Sequence, residues 1–305
     1  MFTADNLRFF LEVARAQRLA EAARVLEVDH TTVGRRITAL ERALGQRLFD
    51  RSPNGWRLTD AGKRLLPRAE VVESAVMAAF EEQASPIGSL TGTVRLATTD
   101  GFGAFIVSPN LIHLKATHPH LDIELVTATA HNAVSERHFD LAVTLERPIS
   151  RAIRCELLGS YDLQLYAAPE YLSRTPAIEN PSDLRQHTII WYVNALLDVE
   201  PLRILDKFLH DQTASVQISN VTGHWQAARS GLGIAPLPAY IGNNDDQLVT
   251  VLPEKVTVRR NYWVVIPKEL ERLERVQVMV RFLQSLVETN PHLTSVATTT
   301  EDGTD

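Results

Sequence analysis

Cysteine is almost missing from this sequence: Cys155 is the only one in 305 residues. One thiol excludes an internal disulfide framework and fits a reducing compartment. A small buried apolar residue is a simpler reading of it than a reactive nucleophile. Long apolar runs are missing too. No stretch of about 18 consecutive apolar residues occurs, so no membrane span is expected. The opening MFTADNLRFF lacks a basic and then apolar leader. On that ground no secretion signal, and a cytoplasmic location, are expected.

Catalytic signatures are also lacking. There is no Gly-x-Ser-x-Gly elbow, phosphate loop, His-Glu-x-x-His pair or dinucleotide fingerprint. Gly101-Phe102-Gly103 and Gly231-Leu232-Gly233 are too short for a nucleotide signature and read as tight turns. His113, His118 and His120 are close in sequence, but Pro119 separates two of them and no cysteine or carboxylate completes a ligand set. Surface histidines are expected, with no metal and no cofactor. Glu81-Glu82 and Asp245-Asp246 are sequential pairs that read as solvated. An enzyme is not expected.

The net charge of −6 looks wrong for a nucleic-acid binder until the chain is divided. Residues 1–68 hold 13 Lys and Arg against 8 Asp and Glu, a balance of +5. Residues 69–305 hold 18 against 29, a balance of −11. A small basic module on an acidic ligand-binding body would show this asymmetry. At 305 residues, two or three folding units are expected.

The stretch Leu19–Leu44 organises the basic part. Ala22, Ala23 and Leu26 give one helix a small apolar face; Val33, Ile37, Leu40 and Leu44 give a second its stripe. Glu27-Val28-Asp29 leaves room only for a tight corner, with Asp29 as N-cap of the second helix. His30, Thr31, Gly34, Arg35 and Thr38 fall opposite the stripe, a face of donors, one cation and little bulk that suits the DNA major groove. An ordinary helical hairpin with a solvated polar face is the competing reading of this stretch alone. Upstream, Leu7, Phe10, Leu11 and Ala14 give a third helix. Downstream, Gly45 reads as a C-cap, and LFDRSPNGWRLT reads as two short strands around Asn54-Gly55. Such a hairpin forms a wing, with Arg51 and Arg57 placed to meet phosphates.

These residues resemble the LysR-type bacterial transcriptional regulators. The matching positions include Leu7-Arg8-Phe9-Phe10, Ala22-Ala23, Leu26, Val33, Ile37, Leu40-Glu41, Leu44-Gly45, Leu48-Phe49, Arg51, Leu58-Thr59 and Ala61-Gly62. Asp29-His30-Thr31 and Gly34 depart from the family's usual residues, so which bases are read does not transfer. The resemblance implies an α/β protein. It has an N-terminal winged helix-turn-helix (1–58), a long dimerising linker helix with a hinge (59–92) and a two-lobed, periplasmic-binding-protein-like effector domain (93–293). Residues 294–305 are expected to be a disordered tail.

In the linker, Thr59 reads as N-cap, and Leu65, Ala69, Val72, Val76 and Ala79 make a heptad seam. Pro67 should kink the helix or cost a hydrogen bond. The competing reading is a helix packed on its own body; the resemblance favours a dimer, with a tetramer following from resemblance alone. Ser85–Ser89 breaks the helix, and Gly88 to Gly92 reads as a hinge. Strands at Thr93–Thr99, Leu121–Thr127 and Phe139–Leu145 alternate with helices, which implies a mostly parallel sheet. Further strands are expected at Tyr161–Ala167, Thr188–Tyr192, Ser215–Ile218 and Gly233–Pro236, and helices at Gly103–Thr117, Pro201–Gln212, His224–Ser230 and Leu273–Thr289.

The Phe139–Val143, Leu163–Pro169 and Gly231–Pro238 motifs resemble the family's effector domain, with lobes at about 93–160 plus 267–290 and about 161–266. The resemblance implies a small-molecule effector in the cleft. Thr98, Thr99, Thr129, His224 and Trp225 are the candidate contacts. Thr98-Thr99 end a strand before a helix, where amides and hydroxyls favour an anion over a neutral ligand. Their competing role is capping, and that of Trp225 is core. The partners so expected are double-stranded promoter DNA, the effector and a second copy of the chain. A solute-binding protein or small-molecule enzyme with a helical N-terminal extension is the alternative.

Overall fold

The computed structural model describes residues 4–52, 55–84, 90–127, 139–150, 152–193 and 214–295. Contacts divide the chain into two compact units, Met1–Gly88 and Ser89–Asp305.

The first unit packs α1 (Ala4–Ala16), α2 (Leu19–Val25) and α3 (His30–Leu44) around one core. Phe10, Leu11, Ala22, Val33, Ile37 and Leu40 are fully buried there. Burial of this stripe supplies the stability that helices so short lack by themselves. The corner before α3 turns through Glu27 at φ 53°, and Asp29 caps α3 by accepting the Thr31 amide at 2.8 Å. Gly45 ends α3 in the left-handed region at φ 67°. β1 (Phe49–Ser52) and β2 (Gly55–Leu58) then pair as an antiparallel hairpin, Phe49 opposite Leu58 and Ser52 opposite Gly55. Asn54 lies outside the described residues. The Trp56 amide donates to the Gln17 carbonyl at 2.7 Å, tying the hairpin to the end of α1.

α4 (Asp60–Ala84) follows and runs through Pro67. Thr59 caps it, its hydroxyl accepting the Gly62 amide at 3.1 Å. Three of the expected seam residues are used differently from expectation. Ala69 is fully buried, and Leu65 and Val72 pack against the core of their own helix-turn-helix. Arg15 of α1 meets Glu73 at 2.5 Å on the same side. The hydrophobic period is real, but α1 takes its first half. Val76 remains 44% exposed, and the side chain of Ala79 lies outside the described residues.

The second unit holds an eight-stranded sheet, ordered β10-β6-β11-β5-β3-β4, with β9 and β12 also on β6. β3 (Gly92–Thr98) leads into α5 (Asp100–Phe102), a π-helical turn (Gly103–Val107) and α6 (Ser108–Thr117). β4 (Leu121–Thr127), β5 (Leu141–Thr144) and β6 (Ile153–Ala167) come next, then α7 (Pro169–Ser173). β7 (Ile190–Tyr192) and β8 (Val216–Ile218) form a separate parallel pair. After them come α8 (Val221–Arg229), β9 (Ala235–Pro238), α9 (Ala239–Gly242) and β10 (Val249–Val251). β11 (Thr257–Pro267), α10 (Glu274–Thr289) and β12 (Leu293–Ser295) complete the unit.

The expectation of a mostly parallel sheet needs correction. β3 is parallel to β4 and β5, but β11 is antiparallel to both β5 and β6. Alternation of strands and helices reports crossovers; it does not report the direction of two long strands shared by both lobes. β6 and β11 are those strands, paired from Gln164 opposite Thr257 to Ile153 opposite Pro267. Trp263, Val264 and Val265 pair with β5, so β11 joins the first lobe's sheet ahead of residue 267. The FDLAV motif has a structural role: Asp140 accepts the Arg95 amide at 2.8 Å and registers β5 beside β3. The tail also begins later than expected, because Leu293–Ser295 pairs with β6 at Tyr161–Gly159 and Leu293 is buried. The helix expected at Pro201–Gln212 lies outside the described residues.

Gly55 sits at φ 133°, and a Cβ there would lie 2.7 Å from the Gln17 carbonyl oxygen. Gly55→Ala is therefore expected to destabilise the first unit by about 1–3 kcal/mol, read as a lower denaturant midpoint. Gly45→Asn, in open space at φ 67°, is the control and should be nearly neutral. Equal losses at the two positions would contradict the assignment of strain to Gly55.

Candidate functional site

The exposed face of α3 is the floor of a groove of about 410 Å³ lined by His30, Thr31, Gly34, Arg35, Thr38 and Arg51, together with Leu19, Ala39, Arg42 and Trp56. Six of the seven expected DNA-contact residues are thus brought together. The buried stripe fixes this outcome: with Val33, Ile37 and Leu40 at 0% exposure, residues one helical face away must point outward. Arg42 belongs to the same face, and its spacing from Arg35 and Thr38 could have identified it. Trp56 could not have been found that way, because the wing brings it in.

Arg51 and Arg57 differ. In the hairpin register Arg51 lies opposite Trp56, and Arg57 opposite Asp50, so the two arginines occupy opposite faces. Arg51 bonds Glu41 at 2.6 Å and stacks over the Trp56 ring at 4.4 Å. Glu41 also accepts the Leu48 amide at 2.8 Å. Arg51 therefore fastens the wing to α3, and only its outer half is open to a phosphate. Arg57 is exposed and forms no ion pair among the described residues. At the start of α3 the Thr31 hydroxyl donates to Asp29 at 2.5 Å, which, with the Thr31 amide, holds the Asp29 carboxyl below its usual range.

The second candidate region lies within the other unit, where the end of β3 meets α8. Thr98 is 1% exposed, and its methyl lies where a Cβ on Gly103 would be 2.7 Å away. It is a packing residue, not a surface one. The Thr99 hydroxyl is buried beside the Tyr262 phenol and does not cap α5. Thr129 lies outside the described residues. Asp100, which no local sequence signal singles out, reaches across to α8. Its carboxylate accepts the Thr222 amide at 3.0 Å and the Thr222 hydroxyl at 2.9 Å.

His224 corrects the expectation of a group facing the threonines across an open cleft. It is 0% exposed, its Nε2 lies 3.1 Å from the Ile218 carbonyl, and its ring meets Tyr192 edge-on at 4.3 Å. A carbonyl only accepts, so Nε2 carries the proton. Burial pulls the imidazole down to about 4, so it is neutral at pH 7 and offers an anion no charge. The next residue points elsewhere. Trp225 donates to Asp245 at 2.6 Å, meets Phe105 edge-on at 5.3 Å and lines a groove of about 340 Å³ with Phe105, Arg229, Ile241 and Asn244. Thr98, Thr99 and His224 do not line that groove.

Between these regions lies an aromatic block. Tyr161 stacks on Tyr262 at 4.6 Å, Phe102 meets Tyr262 at 4.7 Å, and the Tyr240 and Tyr262 hydroxyls bond at 2.7 Å. Burial raises all three phenols, Tyr161 to about 12, so none is a base at neutral pH. Burial likewise pushes the Cys155 thiol up, away from thiolate chemistry. No metal-binding cluster of His, Cys, Asp and Glu occurs among the described residues, and no helix there is long and apolar enough to cross a membrane.

Comparison with known proteins matches both units. Residues 4–63 match the model "Bacterial regulatory helix-turn-helix protein, lysR family", and residues 88–288 match "LysR substrate binding domain". The HTH-type transcriptional regulator HdfR of Yersinia pestis is 31% identical over 254 residues, covering 76% of this chain and 85% of that protein. An uncharacterized HTH-type transcriptional regulator of Haemophilus influenzae is 25% identical over 270 residues, covering 86% and 93%. Among solved structures, a full-length OxyR variant from Pseudomonas aeruginosa superposes with a TM-score of 0.73 at 15% identity, covering 93% of this chain and 98% of that one. ArgP from Mycobacterium tuberculosis gives 0.70 at 19%, covering 93% and 98%. At such identities these two show a shared fold.

The neutral, buried His224 makes stability depend on pH. The unfolded imidazole binds a proton near 6.5 and the folded one only near 4, so the unfolded state takes up more protons between those values. Stability is therefore expected to fall as pH drops from 6.5 towards 4, by up to roughly 3 kcal/mol from this residue. His224→Gln keeps a donor for the Ile218 carbonyl but does not titrate. Chemical denaturation across that range should show a shallower decline for it; an unchanged slope would remove His224 as the cause.

Proposed function

We infer the function from one premise: the chain belongs to the LysR family of bacterial transcriptional regulators. It is a LysR-type regulator, with a helix-turn-helix DNA-binding unit and an effector-binding substrate domain. LysR regulators bind promoter DNA and small-molecule effectors and act as oligomers. In our reading, this chain does so through the surfaces described above.

α3 enters the major groove with His30, Thr31, Gly34, Arg35 and Thr38 towards the bases, and Arg42 extends that surface along the helix. Arg57 contacts phosphate from the outer face of the wing, and Arg51 keeps the wing in register with α3. The observation that carries this is the groove over α3, which collects three arginines beside small and hydroxylated residues. Two copies are needed, since a balance of +5 in one is modest for phosphate-driven affinity. They associate through the outer part of α4, where Val76 is exposed while Leu65, Ala69 and Val72 are held by their own core. Pairs of dimers give a tetramer. The effector sits between the lobes of the second unit, where Thr99 follows β3 and Trp225 walls the neighbouring groove. Thr98 and His224 shape that region from within. The protein acts in the cytoplasm and needs no catalytic step.

Binding to a selected operator tests the division of roles. Arg57→Ala should weaken binding to all sequences alike and lower the salt slope by about one. Arg35→Ala should instead change the preference between operators, by about 1–3 kcal/mol if its contact with a base is bidentate. Uniform losses across operators for Arg35→Ala would remove it from base reading.

A further inference from the structure

Asp100 opens α5 at the end of β3, and Thr222 is the second residue of α8. The amides of a helix's first turn have no partner within the helix and form its positive end. In α8 two residues share that turn. Asn220 accepts the Gly223 amide at 2.7 Å, and Asp100, from far along the chain, accepts the Thr222 amide and hydroxyl at 3.0 and 2.9 Å. The closeness of the approach is set by Gly101. A Cβ there would come within 2.9 Å of Val221 Cγ1 and 3.1 Å of the Tyr240 hydroxyl, so the turn after β3 rests directly on α8 and α9. No ion pair joins Asp100 to a cation among the described residues. The nearby His224 is neutral, and Arg260, opposite Tyr161 in the β6–β11 ladder, keeps buried Nε and Nη2 atoms without a hydrogen-bond partner and forms no ion pair with Asp100 among the described residues. Thr222 and the helix end are what its charge rests on.

We propose that Asp100 is the specificity-determining residue of this cleft. Its carboxylate fills the place at the start of α8 that a ligand's anion would take, latches the two lobes together, and restricts the effector to molecules without net negative charge. An incoming carboxylate meets a seat that is taken and a like charge beside it. A neutral or cationic molecule leaves the Asp100–Thr222 contact in place. The choice of effector charge rests on the reading of the cleft as the ligand site; the latch itself does not.

The test is small-anion rescue in the full-length protein. Asp100→Ala keeps the Cβ and removes a group the size of formate. Its Tm should fall by about 4–8 °C, from the loss of hydrogen bonds to a charged acceptor. Formate at tens of millimolar should restore at least half of that loss saturably, compared with equal chloride. The unmodified protein, and Asp100→Ala combined with Thr222→Val, should show no saturable response. Asp100→Ser, which keeps a hydroxyl near Thr222, carries the same titration if Asp100→Ala is not recovered folded. A formate response of equal size in the unmodified protein overturns the proposal, and so does an unchanged Tm in Asp100→Ala. Saturable, Thr222-dependent binding of benzoate to the unmodified protein overturns the charge restriction. Operator affinity is measured alongside. Rescue by formate with no change in that affinity keeps the latch and removes the cleft as the regulatory site, so the two claims fail separately.

Discussion

The antiparallel ladder between β6 and β11 is the element on which the effector-binding unit depends. It runs from Gln164 opposite Thr257 to Ile153 opposite Pro267 and passes between the lobes as it does so. Backbone hydrogen bonds, which every residue but proline can supply, therefore join the lobes before any side chain is considered. The register slips between Tyr262 and Trp263, and such an irregularity lets a long ladder bend. The aromatic block of Tyr161, Tyr262, Tyr240 and Phe102 is built on that bend. Because its hydroxyls bond one another in a dry interior, the block holds a fixed arrangement, and the contacts at the end of β3 take their positions from it.

Around that ladder, the residues of the cleft differ in what burial does to them. His224 loses its charge because burial outweighs the nearby backbone carbonyls, Ile218 among them, and the Asp100 charge that would favour the protonated ring. Asp100 has partners in the Thr222 amide and hydroxyl and in the end of a helix. Thr99 has no charge to lose, and its hydroxyl lies buried beside the Tyr262 phenol. One sequence neighbourhood thus contains a core residue, a lobe-to-lobe contact and a buried hydroxyl, separated only by geometry.

The DNA-binding unit rests on a simpler constraint. Its core has room for one stripe of α3, and what remains must face water or DNA. Arg51 shows how far that logic extends. Its place on the wing was legible from the hairpin signal, but its bond to Glu41 and its stacking on Trp56 come from the docking of the wing on α3. The heptad seam of α4 was legible as a period only. A period states that a face is apolar and does not state what covers it, and α1 covers Leu65, Ala69 and Val72.

By itself the sequence determined the features whose causes lie within a few residues. The stripe of α3, the Asp29 cap, the Gly45 stop, the hairpin before α4 and the strands on either side of α6 all follow from local periodicity, capping and turn chemistry. Their pattern also carried the family. Tertiary structure alone decided the pairing direction of β6 and β11, the burial of Thr98 and His224, and the partner of Asp100. Asp100 and Thr222 stand 122 positions apart, and nothing near either one in the chain specifies the other. Charge state and hydrogen-bond partners depend on how much water packing removes and on which groups it brings within about 3 Å, and both are properties of the folded chain.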